Sequence, residues 1–175
     1  MIEYSTPKIL ANPPGEDIRL SREQIWHAFE WKAEYPTLFV KPIKQARVLE
    51  TFDDGILREI VHEDPDAEPE VLHERVFYEP MERMTFLRLN GRVLGQIINA
   101  IEEDEDGELT VRFMFTLAID GAEHGGAQER AYQEQFADGY IFAVNQLLEM
   151  TREAVRTGLD PTADLAAARA AGVGA

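Results

Sequence analysis

Between residues 43 and 119 hydrophobic and polar side chains alternate with a period of two, which is typical of strands that bury one face. Turn-forming sequences rich in Gly, Pro, Asn and Asp divide this region into predicted strands over residues 43–52, 56–62, 70–79, 83–90, 93–103 and 108–119. In the last strand, the alternation is clearest, and its predicted inward face carries Val111, Phe113, Phe115, Leu117 and Ile119. Because the connections are short, the pattern predicts an antiparallel meander.

Helical spacing replaces this alternation nearer the two ends of the chain. Residues 127–157 are predicted to form one long helix, whose apolar face carries Tyr132, Phe136, Tyr140, Val144, Leu147 and Leu148. Ser21 followed by Gln24 is a capping-box pattern that predicts a second helix through about Ala33, ended by Pro36. Residues 38–40 are predicted to form a single apolar turn at a pocket rim, and residues 2–11 an edge strand.

Composition narrows the function classes. A chain of 175 residues fits one domain, which we assign to residues 1–157, and the Ala-rich residues 158–175 are expected to be a frayed helix or disordered. The net charge of −16 argues against nucleic acid and anionic membrane surfaces as partners. The absence of cysteine excludes disulfides and thiolate chemistry. No apolar run is long enough to insert in a membrane, so a cytoplasmic location is expected.

The order of strand, helix, short helix, six strands and long helix resembles the START-like helix-grip superfamily, also called SRPBCC or Bet v 1-like. The sequences LSREQIW (20–26), KAEYP (32–36), VLETFDDGILREI (48–60), HERVFYEP (73–80) and IEEDEDGEL (101–109) are similar to its AtaL-like subgroup. This resemblance covers about residues 3–157. It implies an α+β fold in which a curved seven-stranded antiparallel sheet wraps around the C-terminal helix, with two short helices after the first strand and an apolar cavity between sheet and helix.

Ionisable residues are densest in the predicted strand pair around residues 57–61 and 72–76. If Leu57 and Val61 face inward, alternation places Glu59 and Glu74 together on the concave face, where burial and mutual repulsion would raise at least one carboxyl pKa. Such a carboxylate could act as a general acid or base. The alternative register sets Glu59 opposite Arg75 as an ordinary ion pair.

Other candidate chemistry is sparse. Asn99 shares its strand parity with Val93, Ile97 and Ile101, so we expect its amide to point inward, where a ligand or another side chain would hydrogen-bond it. The four histidines lack the spacing of a metal site, and we expect neither a metal nor a cofactor. No nucleophile elbow, phosphate loop or dinucleotide fingerprint occurs in the sequence.

These observations favour a protein that binds a small apolar or aromatic molecule between the sheet and the long helix. The expected wall consists of Leu38, Phe39, Phe86, Ile97, Phe113, Phe115, Phe136 and Tyr140, and the expected polar contacts are Glu59, Glu74, Asn99 and Tyr132. One alternative is a cofactor-independent cyclase or dehydratase acting on a polyketide-like precursor, with Glu59 or Glu74 as its base. The other is a protein-interaction module similar to the chaperone activators. Neither the ligand nor the oligomeric state follows from the sequence.

Overall fold

The structure is a computed structural model that describes residues 1–63 and 68–158, and the side chains of residues 135–138 fall outside that description. Its elements, in chain order, are β1 (Ile2–Ser5), β2 (Ile9–Leu10), α1 (Arg22–Glu34), a 3-10 turn (Pro36–Leu38), β3 (Ile43–Phe52), β4 (Gly55–His62), β5 (Glu70–Glu79), β6 (Arg83–Arg88), β7 (Val93–Glu103), β8 (Leu109–Ile119) and α2 (Ala127–Thr157). The α+β helix-grip fold expected from the sequence is confirmed.

The curved sheet is antiparallel throughout, with the strand order β1-β8-β7-β6-β5-β4-β3, and β2 also pairs with β8. The predicted meander from residue 43 to residue 119 is therefore confirmed. The predicted edge strand over residues 2–11 is instead broken into β1 and β2 around Pro7, which has no N–H to donate to the ladder. Thr6 holds the break in place, since its hydroxyl oxygen accepts from the Phe113 N–H at 3.1 Å.

Helix α1 begins with the predicted capping box. The Ser21 hydroxyl accepts from the Gln24 N–H at 3.1 Å, and the Gln24 side chain accepts from the Ser21 N–H at 2.9 Å. Its buried side chains include Ile25, Ala28 and Phe29, which pack into the main core. This packing lays α1 against the inner face of the sheet.

The inner face of the sheet is the face on which Val111, Phe113 and Phe115 of β8 are buried, as the alternation predicts. Helix α2 packs against β8, β1 and α1. In its C-terminal half Val144, Leu147 and Leu148 are almost fully buried, which confirms the predicted apolar face there. The long helix is thus anchored by its C-terminal half.

One glycine fixes a close approach between β7 and β8. Gly95 has a φ of +124°, and a Cβ at this position would lie 2.2 Å from the Thr116 carbonyl oxygen. A side chain therefore does not fit here without a shift of the backbone. Gly95 is the cross-strand neighbour of Arg88 in β6, so the inner face beside Arg88 carries no β7 side chain at this level.

Helix α2 ends at Thr157, and Gly158 follows it in the left-handed conformation with φ +72°. The predicted tail of residues 158–175 lies, after Gly158, outside the described residues. The assignment of residues 1–157 to a single domain stays a prediction.

Candidate functional site

The register between β4 and β5 corrects the expected arrangement of the two glutamates. Arg58 is the direct cross-strand partner of Glu74, and Glu59 is the partner of His73. Arg58 and Glu74 are both buried on the inner face, whereas Glu59 lies on the opposite, outer face. The expectation that Glu59 and Glu74 share the concave face is therefore wrong. The reason is that Ile56 and Ile60, rather than Leu57 and Val61, are the inward residues of β4.

The alternative register, in which Glu59 faces Arg75, is wrong as well. Glu59 accepts a hydrogen bond from the Arg47 Nε at 2.8 Å and contacts the His73 Nε2 at 3.1 Å. The bond from Arg47 holds the pKa of Glu59 below its usual value. Arg75 instead pairs with Asp54. Glu59 thus belongs to an ion-pair group on the outer face of the sheet.

A buried ion-pair network lies on the inner face across three neighbouring strands. The Glu74 Oε2 accepts from the Arg58 Nη2 at 2.6 Å and from its Nε at 2.9 Å, and the Glu74 Oε1 accepts from the Arg88 Nε at 3.4 Å. The exposed side-chain fractions are 2% for Glu74, 6% for Arg58 and 12% for Arg88. Burial opposes ionisation of Glu74, but the two guanidinium groups outweigh it and keep the pKa of this carboxyl below its usual value.

Arg58 also connects this network to helix α1. Its Nη1 donates to the Ala33 carbonyl at 2.6 Å and to the Lys32 carbonyl at 3.3 Å, both in the last turn of the helix. A cation at this end satisfies carbonyl groups that have no partner within the helix. Arg58 therefore sets the position of the last turn of α1 over the sheet, and with it the position of Lys32.

Lys32 reaches from α1 onto the inner face. Its Nζ donates to the Asn99 Oδ1 at 2.7 Å and lies 4.2 Å from the centre of the Phe113 ring and 5.5 Å from that of Phe86. The residue keeps some accessible surface but is surrounded by protein atoms. Burial, followed by repulsion from Arg58, lowers the pKa of Lys32 to about 7, with Glu74 acting in the opposite direction.

Asn99 lies on the inner face, as its parity in β7 predicts, and is fully buried. It stands between Met84 of β6 and Phe113 of β8 in the sheet register. Its Oδ1 accepts from Lys32, but its Nδ2 is buried and has no hydrogen-bond partner among the described residues. An unsatisfied buried amide costs about 1–3 kcal/mol, so a group that accepted its hydrogen bond would stabilise this site.

Aromatic side chains continue the inner face toward α2. The Phe115 ring lies 5.4 Å from that of Tyr4 and 4.9 Å from that of Tyr140, measured between ring centres. Burial raises the pKa of Tyr140, so its hydroxyl stays protonated. Tyr132 and Ile97 are partly buried against the same cluster, and Phe86, Phe113 and Phe115 are nearly inaccessible.

Three expected wall residues differ from this group. Leu38 is 51% exposed, so the structure does not bring it together with the inner-face aromatics. Phe39 is buried, with its ring 5.6 Å from that of Trp31 between ring centres. The side chain of Phe136 lies outside the described residues.

We call Lys32, Arg58, Glu74, Arg88 and Asn99 the polar cluster. Three of its members, Lys32, Arg58 and Arg88, were missed by the sequence reasoning. A signal existed for one of them, since Lys32 follows Ile25 and Phe29 at helical spacing, which places it on the buried face of α1. Apolar residues occupy both parities of β4, so alternation indicated no direction for Arg58. The cluster combines two guanidinium groups and one amine with one carboxylate, in a protein whose net charge is −16.

The described residues contain no group of three or more His, Asp or Glu side chains placed to hold a metal ion. Within the same part of the chain, no helix has the length and apolar character needed to cross a membrane.

Residues 2–158 match the protein family described as "Acetylaranotin biosynthesis cluster protein L" (AtaL). Among solved structures, the aromatase/cyclase Zhui from Streptomyces sp. R1128 superposes with a TM-score of 0.65 at 14% identity, covering 90% of this chain and 96% of that one. The protein TTHA0849 from Thermus thermophilus gives a TM-score of 0.60 at 12% identity, covering 87% and 95%.

The two-domain aromatase/cyclase StfQ of the steffimycin pathway gives a TM-score of 0.62 at 11% identity, covering 90% of this chain and 52% of that one. At these identities the likeness establishes the fold. No curated protein matches the sequence.

Proposed function

The chain belongs to the AtaL family, within the SRPBCC or Bet v 1-like superfamily, and from this premise we propose that it binds a small apolar or aromatic molecule. The proposed site lies between the inner face of the sheet and helix α2. The observation that carries the proposal is the polar cluster, which stands among buried aromatic side chains and includes a buried amide without a partner among the described residues. Binding sites for small molecules commonly combine an apolar wall with a few fixed polar groups.

The aromatic wall suits a flat or apolar ligand. Phe86, Phe113 and Phe115 lie on adjoining inner-face positions of β6 and β8, and Ile97 stands between Phe86 and Phe115 in the register. Ile97, Tyr132 and Tyr140 keep accessible surface although they belong to the inner face or to the helix that covers it. This partial accessibility supports a space for a ligand at that level of the sheet.

The charge of the polar cluster indicates the polar end of the ligand. Glu74 compensates one of the two guanidinium groups, and Arg58 uses its donors on Glu74 and on the α1 carbonyls. Among the described residues, Arg88 makes one long hydrogen bond, of 3.4 Å, to Glu74. An anionic oxygen beside Arg88 would therefore gain a charge-assisted bond in a poorly hydrated place. We propose a ligand that bears a carboxylate, phenolate or enolate at one end.

Isothermal titration calorimetry with 2-naphthoate and 2-naphthylmethanol tests this proposal, because the two probes share a ring system and differ in charge. The wild-type protein should bind the acid at least about 10-fold more tightly than the alcohol, because the acid can make a charge-assisted bond. The Arg88→Met protein should bind the two probes equally well. Arg83→Met is the matched control, since Arg83 lies on the same strand but is 49% exposed and pairs with Glu79. Equal weak binding of both probes by all three proteins would reject the proposal.

A second candidate function is a cofactor-independent cyclase or dehydratase. It is favoured by the two neighbouring structures that are named aromatase/cyclases and by the amine of Lys32, whose pKa of about 7 suits proton transfer at neutral pH. Glu74 is a poor base in this arrangement because both of its oxygens are bound to arginines. In this second function Lys32, and not a glutamate, would act as the general acid or base.

Exchange of the α-protons of 4-phenyl-2-butanone in D₂O, followed by NMR, tests this second function. The protein should accelerate the exchange, and Lys32→Met should abolish the acceleration while the exposed Lys44→Met does not. If the wild-type protein does not accelerate the exchange, the proposed cyclase or dehydratase function is contradicted. The interaction-module hypothesis stays a prediction, and the cytoplasmic location remains part of the proposal.

A further inference from the structure

We propose that Lys32 is a carbonyl-reactive amine, which forms a reversible imine with an aldehyde or ketone held at the inner-face site. The inference rests on the proposed function, since the carbonyl compound has to occupy the same place. The ligand would then carry a carbonyl group beside its apolar ring system and would bind through a reversible covalent bond.

Lys32 differs from the other lysines of the chain. The sequence contains four, at positions 8, 32, 41 and 44. Lys8 donates to the Glu103 carbonyl at the surface, and Lys44 donates to the Lys41 carbonyl at an exposed turn. Lys32 alone among the four has its amine on the rings of Phe86 and Phe113. It is thus the lysine that an aromatic ligand on the inner face would meet.

The surroundings favour the neutral amine, which is the form that carries a free electron pair. The charged groups that face Lys32 are Arg58 from β4, whose charge repels an ammonium, and Glu74 from β5, whose charge favours one. Glu74 is already bound to Arg58 and Arg88, so it does not form an ion pair with Lys32 among the described contacts. A lysine that is desolvated beside another cation is a common arrangement for imine formation.

Asn99 supplies the second part of the site. Its Oδ1 holds the Lys32 amine at 2.7 Å and so fixes the direction of the side chain. The Nδ2 of the same amide is buried without a partner among the described residues. After a small rotation of the amide, this N–H would donate to the oxygen of a ligand carbonyl and thereby both satisfy itself and polarise the carbonyl carbon toward the amine.

The covalent step balances without a cofactor. The Nζ electron pair of Lys32 forms a bond to the carbonyl carbon, and the carbon–oxygen π pair moves to the oxygen, which takes up the proton that the nitrogen loses. The resulting carbinolamine loses its hydroxyl group with a proton as one molecule of water, and a carbon–nitrogen double bond remains. One amine and one carbonyl compound therefore give one imine and one water, and hydrolysis reverses the reaction.

Reductive trapping tests the proposal. The full chain is incubated at pH 7 with an equimolar amount of 2-naphthaldehyde and sodium cyanoborohydride, and peptide mass mapping then locates the naphthylmethyl group. Labelling should be at least 10-fold higher at Lys32 than at Lys8, Lys41 or Lys44. It should disappear from position 32 in Lys32→Arg, which keeps the charge, and persist at Lys32 in Lys44→Arg, the matched control. Excess 2-naphthoate should suppress labelling at Lys32 alone.

Calorimetry with 2-naphthylmethanol, which cannot form an imine, distinguishes ligand binding at the site from imine formation at Lys32. If the alcohol or 2-naphthoate binds but Lys32 is labelled no more than the exposed lysines, the imine proposal is overturned and the binding site stands. If neither probe binds and Lys32 is not labelled, the proposed function is overturned together with it. Circular dichroism of both variants confirms that a loss of labelling does not come from unfolding.

Discussion

Glu74→Gln is the substitution that most sharply tests the buried ion-pair network, because it keeps the shape of the side chain and removes its charge. Glu74 is 2% exposed and accepts three hydrogen bonds from Arg58 and Arg88. Without its charge, the polar cluster would hold cationic side chains with no carboxylate to compensate them. Breaking a buried ion pair by removing one partner typically costs about 3–5 kcal/mol, and we expect a loss of this size in the free energy of unfolding.

Urea denaturation at pH 7, followed by circular dichroism, measures the effect. The matched control is Glu79→Gln, whose partner Arg83 is 49% exposed and whose own side chain is 47% exposed, so its loss should stay below about 1 kcal/mol. The double variant Arg58→Met/Glu74→Leu should recover part of the loss, because it removes both charges, although it also removes the bonds from Arg58 to the α1 carbonyls.

The pH dependence gives the same test a second, independent result. The folded-state pKa of Glu74 lies below its ordinary value of 4.5, so the unfolded chain binds the proton first as the pH falls. The stability that Glu74 contributes is therefore fully present above about pH 4.5 to 5 and is lost as the pH falls through the lower folded-state pKa. A Glu74→Gln protein within about 1 kcal/mol of the wild type at pH 7 would refute the reasoning.

Two further predictions follow from single residues. The wild-type protein should gain stability relative to Lys32→Met as the pH rises from about 7 to 10.5. The reason is that the folded protein releases the Lys32 proton near pH 7, whereas the unfolded chain holds it until about pH 10.5. If the difference in the free energy of unfolding between the two proteins, measured by urea denaturation, is independent of pH, this prediction is wrong. Gly95→Ala should destabilise by at least about 2 kcal/mol, because a Cβ would meet the Thr116 oxygen at 2.2 Å. The control is Gly139→Ala in α2, where a Cβ would have nothing within 4 Å, and this substitution should instead stabilise the protein by about 0.5–1 kcal/mol. If the Gly95→Ala protein is as stable as the wild type in thermal denaturation, the close approach of residue 95 to the Thr116 oxygen is wrong.

The fold could be predicted from the sequence where local signals agree with one another. The capping box at Ser21 and the helical period of residues 127–157 each pointed to a single structure, and both are present. The strands over residues 70–79 and 93–103 are bounded by turn residues, and their ends match β5 and β7. Pro7 is compatible with an edge strand, so its presence alone did not predict the break between β1 and β2.

The site could be predicted only in part, because it depends on the register of the strands and on charged side chains that are buried in the core. Strand β4 carries apolar residues at both parities, Ile56 and Ile60 on one face and Leu57 and Val61 on the other, so alternation alone gave no direction for Glu59 or Arg58. Asn99 was assigned correctly to the inner face because it shares its parity with Val93, Ile97 and Ile101, whereas the opposite parity carries Gln96. Helical spacing places Lys32 on the buried face of α1, but it was missed because its contacts there, Asn99, Phe113 and Arg58, are distant in the chain.

Native mass spectrometry tests the proposal that the inner face of the sheet and helix α2 hold a small molecule. Freshly purified protein is measured before and after denaturation, and again after addition of 2-naphthoate. We expect a bound species of defined mass that is lost on denaturation, or one bound naphthoate per chain whose binding is weakened by Arg88→Met and not by Arg83→Met. A protein that carries nothing after purification and takes up no naphthoate would contradict the proposed function.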